Sequence, residues 1–453
     1  MPTPDPRIEN LLEAAGFAEV AKIRHFKIDD CLITSLVERW RPETHTFHFP
    51  VGECTVTLED VALQLGLRID GKPVTGPTLF DWDELCYELL GFVPPKGETL
   101  VGSTIKLKWL RDHTIALPDE PTQQQLLQHC NRIHLMYLPL LADLERARRY
   151  SWGSACLAHL YRELCRAIYP SSKKMGACSL LLQSWTWYRM PSIQPRVQQD
   201  ITFPLASSFY GCHIGNFSPH CQRRAYKDSR IWTACTALTS FVVVVWHQTD
   251  RIQLQFGLWQ PIPNEAHNLD KLHDIDMRGH SDTNWAQQHA DWISIWKDRR
   301  KHVIFGEPLQ GPLQHTPEYL QWFRANSKLF LCSQYSSSHA STSSTQLPTT
   351  TATTFAMAGD NHPPYTVEQH PQSYPSFHTH HEQFMYTPPS TTTPTGDFMS
   401  NLFGVDVHTP QSAYNYMQSM NFPSFSSYHS EVGGSGSSNP VYFNSIFIFI
   451  LKT

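Results

Sequence analysis

The 11 cysteines are spread singly along 453 residues, with no Cys-x-x-Cys pair. That spacing excludes the tight knuckles of most structural zinc modules and the paired framework of a small disulfide-stapled domain. It fits reduced thiols in cytosol or nucleus. An apolar run of about 20 residues, the length that spans a bilayer, is also missing. Ile446-Phe-Ile-Phe-Ile-Leu451 is apolar but far shorter, and reads as a sticky extension rather than an anchor. The opening Met1-Pro-Thr-Pro-Asp-Pro6 has no basic segment leading into an apolar one, so no secretory leader and no membrane partner are expected.

Basic charge is scarce towards the end of the chain. Beyond Ser333 only Lys452 stands against Asp360, Glu368, Glu382, Asp397, Asp406 and Glu431, and this stretch accounts for the whole formal net charge of −5. The rest balances, which argues against an electrostatic nucleic-acid binder of the histone kind. The 24 histidines add charge only at mildly acid pH. A glycine-rich phosphate loop in strand-to-helix context is absent too. So is a lysine placed for a pyridoxal Schiff base with an acidic or arginine partner for the ring. Gly359-Asp-Asn-His362 superficially resembles a metallophosphatase motif, but Pro363 follows it and no companion Gly-Asn-His-Glu exists. No catalytic residue, cofactor or small-molecule substrate is expected.

What the chain has in quantity is aromatic: 13 Trp, 24 Phe and 17 Tyr within 41% hydrophobic residues. Such side chains dominate burial energy, and they recur at helical spacing, where core is the commoner fate than base stacking. Residues 8–20 and 29–40 read as amphipathic helices, the second carrying Ile33, Leu36, Val37 and Trp40 on one face. Pro42 ends it, because a residue before proline avoids the helical region. Residues 44–49 and 53–57 alternate as strands around Pro50-Val-Gly-Glu53. Thr57-Leu-Glu-Asp60 is a capping box, and Gly66 a left-handed helix stop.

Residues 133–169 read as a helical region divided near Pro139 and Trp152-Gly153. Cys156, Leu160, Leu164 and Ile168 face inward there, and Arg162, Glu163 and Arg166 face water. A helix follows over 179–189, a buried strand over 241–246, and a long helix over 282–303 with Trp285, His289, Trp292 and Trp296 on one side. The expected fold is α+β, predominantly α-helical, in one large domain over 1–332 with one or two small β-hairpins. A disordered Ser/Thr/Pro/His/Tyr-rich tail over 333–440 and a short apolar extension over 441–453 follow.

Two sets of polar residues stand out. Cys212-His213 and His220-Cys221 could supply four zinc ligands, although satisfied core or loop residues are the commoner fate of such a set. Trp246-His247 and His289 are lone histidines on apolar faces and read as core. Lys297, Arg299, Arg300 and Lys301 end the long helix, where cations suit the helix dipole. Together with Arg223-Arg224 and Arg146, Arg148 and Arg149 they could also touch phosphates.

Several runs together resemble a known family. They are Leu36-Val-Glu-Arg-Trp-Arg-Pro-Glu-Thr-His-Thr-Phe-His48, Gly66-Leu-Arg-Ile-Asp-Gly-Lys-Pro-Val-Thr-Gly76, His134-Leu-Met-Tyr-Leu-Pro-Leu-Leu141, Tyr150-Ser-Trp-Gly-Ser-Ala155, Leu160-Tyr-Arg-Glu-Leu-Cys165, Gln183-Ser-Trp-Thr-Trp187 and Gln255-Phe-Gly257. In this order they are similar to the plant mobile domain, whose members include maintenance-of-meristems proteins and domains carried by transposable elements. Some members are labelled aminotransferase-like, others long-form homologues of a plant serine/threonine phosphatase. The resemblance implies a non-enzymatic nuclear protein supporting meristem maintenance and transposon silencing. Its expected partners are nuclear proteins, a phosphatase-like protein among the candidates, or chromatin and DNA. A transposon-derived nucleic-acid-binding protein is the alternative, and a metal- or pyridoxal-dependent enzyme a weaker one. Segments usual in the family are lost near 129–133 and 196–210, which predicts exposed apolar surface or a cavity.

Overall fold

The chain starts on short helices whose ends are set by local chemistry. Helix α1 (Glu9–Ala15) stops at Gly16, which takes φ 83° and returns its N–H to Glu13 and Leu12. Helix α2 (Asp30–Arg39) starts where the Asp29 carboxylate accepts from the Leu32 N–H at 3.1 Å, and it buries Ile33 and Leu36. The computed structural model describes residues 6–23, 27–50, 52–97, 100–101, 104–105, 120, 135–169, 172, 175, 178–190, 193–194, 203–207, 226–267, 269–273, 275, 280, 282–310 and 314–327. The tail beyond 333 and the segments expected to have lost family elements lie wholly or largely outside these residues.

Pro42 ends α2 as expected, and its neighbours do more than stop. Trp40–Arg41 is extended and forms strand β1, which pairs antiparallel with β2 (Thr46–Phe49), Trp40 opposite Phe47. Strand β3 (Gly52–Cys54) continues the sheet in the order β1-β2-β3, with His48 opposite Glu53. The expected hairpin is therefore a three-stranded sheet. Helix α3 (Leu58–Leu65) carries the capping box: Thr57 accepts from the Asp60 N–H, and the Asp60 carboxylate accepts from the Thr57 N–H. Such a cap is worth about 1 kcal/mol. Gly66 closes the helix at φ 65°.

Helix α4 (Trp82–Leu90) and the small β4–β5 pair (Leu100–Val101, Thr104–Ile105) come next. The 133–169 region is divided as expected, into α5 (Leu138–Leu141), α6 (Leu144–Ala147) and α7 (Trp152–Ala167). Helix α7 packs on α3 and on the hairpin β6–β7 (Thr236–Ser240, Val243–His247). Gly153 permits close approach to α3 and the segment after it: a Cβ there would lie 3.2 Å from Val61 Cγ1, 2.7 Å from Ile69 Cγ2 and 3.0 Å from the Arg68 carbonyl. Every residue of β6 and β7 is buried, between α7 and the later α11 (Ala290–Lys297). The strand begins two residues later than its apolar run, because Phe241 turns the hairpin at φ 45°.

Helix α8 (Ser179–Arg189) spans the expected residues. After β7 come α9 (Asp270–His273), α10 (Trp285–Gln288), α11 and α12 (Pro317–Asn326). The long helix expected over 282–303 is broken at His289, whose backbone leaves helical values at φ −106° and ψ 27°. Trp285 and Trp296, on either side of the break, are both fully buried. The core is aromatic: Trp40 meets Phe47 edge-on at 4.9 Å, Phe47 stacks on Trp185 at 5.4 Å, and Trp40 lies 5.2 Å from Tyr161. The architecture is α+β and mainly helical.

Candidate functional site

Three buried ion pairs tie the elements together. Asp60, at the first turn of α3, receives the Arg189 Nε and Nη2 of α8 on Oδ1 at 2.8 and 2.6 Å, while its Oδ2 accepts the Thr57 N–H at 2.8 Å. Both side chains are fully buried. Burial works to lower the pKa of Arg189, but Asp60 and Glu59 outweigh it and hold the guanidinium charged. Glu59, beside the pair, is pushed up to about 7 by burial, against the pull of Arg189. Glu53 of β3 takes Arg251 in a two-pronged contact, Nε and Nη2 each at 2.8 Å, and accepts the Thr46 hydroxyl at 2.8 Å. Arg251 also lies 5.6 Å over the Trp322 ring of α12. Each acid spends its oxygens on fixed donors, the arrangement that keeps a buried charge tolerable.

The third pair corrects the reading of the basic run. Arg299 is buried and turned inward onto Asp70, with its Nε at 2.8 Å and its guanidinium 4.4 Å over the Trp296 ring. A side chain so placed does not reach a phosphate. Arg300 also bonds Asp70, at 2.5 Å, but stays largely exposed, as do Lys297 and Lys301, the latter paired to Asp298 at 2.8 Å. Burial alone would raise the Asp70 carboxyl; Arg300 and Arg299 hold it below its ordinary value. Arg162 is corrected likewise: expected in water, it is buried and donates to the Ile275 carbonyl.

Segment 68–72 draws together two basic runs that are far apart in sequence. The Lys72 N–H donates to the Arg149 carbonyl at 2.9 Å, and the Trp296 indole donates to the Gly71 carbonyl at 2.9 Å. Arg146, Arg148, Arg149, Lys72, Arg300 and Lys301 are exposed around this segment. A neighbouring cleft of about 150 Å³ mixes Arg68 and Arg148 with Glu13, Glu19 and Asp228.

A separate cluster lies inside the molecule. His45 sits between β1 and β2 with φ 51°, a left-handed backbone that a non-glycine residue rarely adopts. Thr55 Oγ1 donates to its carbonyl at 2.8 Å, and its ring stacks on Tyr161 at 5.4 Å and 18°. Its Nδ1 is 3.0 Å from the Trp246 carbonyl, and its Nε2 is 3.3 Å from the His273 Nε2. Burial first, then His273, lowers its pKa to about 3, so the ring is neutral near pH 7. Cys165 Sγ, at the end of α7, accepts from the Trp40 indole at 3.3 Å. The ligand atoms of His45, Cys165 and His273 lie within 4.8 Å of one another. No reading of the sequence grouped these three: spread over 228 residues, they leave no local spacing signal.

Cys212, His213, His220 and Cys221 lie outside the described residues, as do Arg223-Arg224 and Gly359-Asp-Asn-His362. His247 is fully buried and donates Nδ1 to the Ala234 carbonyl at 3.0 Å, and His289 is 3% exposed, the core placement expected of both.

Comparison with known proteins identifies relatives by sequence. The family model of the plant mobile domain matches residues 16–223 and 216–324. A "Serine/threonine-protein phosphatase 7 long form homolog" of Arabidopsis thaliana is 35% identical over 381 residues, 71% of this chain and 28% of that protein. "Protein MAINTENANCE OF MERISTEMS" of the same plant is 33% identical, over 70% of this chain and 73% of its own length. "Protein MAIN-LIKE 2" is 30% identical, over 70% of this chain and 54% of its own length. The chain thus spans little more than a quarter of the phosphatase-named relative and about half of MAIN-LIKE 2. No solved structure matches it significantly. With the family's matches running through the α2–β3 sheet, α3, α7 and the β6–β7 hairpin, the chain belongs to the plant mobile domain family.

Proposed function

We propose that the protein is a non-catalytic nuclear scaffold of the maintenance-of-meristems type, supporting meristem maintenance and transposon silencing by docking protein or chromatin partners. The observation that carries this reading is the likeness to Protein MAINTENANCE OF MERISTEMS over 73% of that protein's length. The interior agrees with it: Asp60–Arg189, Glu53–Arg251 and Asp70–Arg299 are spent on joining elements. The phosphatase-named relative makes a phosphatase-like protein a candidate partner, by analogy with its name alone. This reading assigns the domain no reaction of its own.

A second reading, direct contact with nucleic acid, is favoured by the exposed cations gathered about segment 68–72. A salt titration separates the two. Full-length protein is mixed with labelled duplex DNA of mixed sequence, and affinity is followed against ionic strength. The docking reading expects weak binding with a shallow slope. A steep slope that falls by about one unit for each of Arg148, Arg149, Arg300 and Lys301 changed to Gln establishes phosphate contact instead.

A further inference from the structure

The His45, Cys165 and His273 side chains converge from three separate parts of the chain: the β1–β2 connection, the end of α7, and α9. We propose that they form a zinc-binding site, with a fourth, non-protein donor completing the tetrahedron. The inference is independent of the docking reading.

Three features of the geometry support it. First, a tetrahedral zinc with nitrogen ligands at about 2.0–2.1 Å holds two of them about 3.3–3.4 Å apart. His45 Nε2 and His273 Nε2 are 3.3 Å apart. Second, the supporting hydrogen bonds are those of a ligand set. A carbonyl only accepts, so His45 Nδ1 carries the proton given to Trp246, and Nε2 presents its lone pair to the cluster. The Trp40 indole N–H points at Cys165 Sγ, where it would stabilise a thiolate. Third, Tyr161 against one face of the His45 ring and Thr55 on its carbonyl fix that ring before any ion arrives. One thiolate and two imidazoles are a borderline-soft set that favours zinc over magnesium or calcium. His273 is the one of the three that is only partly buried. Uptake replaces the contact between the two imidazoles and releases the Cys165 thiol proton to solvent.

The competing account is a plain hydrogen bond between the histidines beside an inert thiol. Cobalt(II) distinguishes the two. Full-length protein is stripped with chelator and titrated with cobalt(II), then with zinc, while absorbance is recorded. The expected result is one cobalt per chain, a thiolate-to-cobalt charge-transfer band, and its loss on adding zinc. Cys165→Ser should abolish that band, and His273→Ala should weaken binding at least about tenfold. The double variant Cys212→Ser, Cys221→Ser should leave both unchanged. Should Cys165→Ser fail to fold, His273→Ala, at a partly exposed position, decides alone. No saturable band, or a band indifferent to His273→Ala and Cys165→Ser, overturns the proposal.

Discussion

Arg189 lies fully buried against Asp60, and its removal would strand a carboxylate where water does not reach. Arg189→Ala is therefore expected to cost about 3–5 kcal/mol, the usual penalty for orphaning one member of a buried pair. Urea unfolding of the two proteins reads it directly, and a loss below about 1 kcal/mol would show that the pair holds nothing. At this scale the sequence was legible where the partner is near. Thr57-Leu-Glu-Asp60 announced its capping box, and Gly66 its left-handed stop, because both bonds close within a few residues. Arg162, expected to face water, and Arg299, expected at a helix end or on a phosphate, turn inward for the opposite reason. Their acceptors, the Ile275 carbonyl and Asp70, lie 113 and 229 residues away. The His45–Cys165–His273 cluster is hidden in the same way.

Among elements, the contact of α12 with the β2–β3 sheet carries a pH dependence. His48 of β2 lies 3.6 Å from Glu53, and His315, just before α12, stacks on Tyr319 at 4.1 Å. Burial lowers the pKa of both rings to about 4. Around His48 the nearby Glu53 and Glu43 oppose the shift, and Arg41 and Arg251 add to it; Glu53 opposes it for His315. The folded state thus holds these imidazoles neutral, while the unfolded chain protonates them near pH 6.5. Their contribution is complete above pH 6.5 and is lost as pH falls towards 4, at up to about 1.4 kcal/mol per pH unit for each ring. Glu59, pushed up from 4.5 to about 7, acts in the opposite sense: its contribution falls as pH rises through that window. Denaturant midpoints from pH 7 down to 4 should fall, and fall less in a His48→Gln, His315→Gln double variant; equal slopes would refute the assignment.

The elements themselves were readable in proportion to their independence from tertiary contacts. Helix α8 matched its apolar stripe to the residue. The stripe over 282–303 was correct in its tryptophans but not in its continuity. Trp285 and Trp296 both enter the core, Trp296 bonding the Gly71 carbonyl, and the backbone breaks at His289 between them. Tertiary packing overrode a local propensity there. Strand β1 carries no readable period in two residues, yet Pro42 disfavours helix at Arg41, which pairs with Thr46 at the edge of β2.

For the molecule as a whole, the described interior is an aromatic framework braced by paired charges. On the proposed scaffold reading, the protein acts through the partners it holds. The most direct measurement is proximity labelling: the full chain fused to a biotin ligase, expressed in meristem cells, with labelled proteins compared against the unfused ligase. The account predicts enrichment of nuclear, chromatin-associated proteins, a phosphatase-like protein among them. A labelled set indistinguishable from that of the unfused ligase, or confined to proteins outside the nucleus, would contradict it.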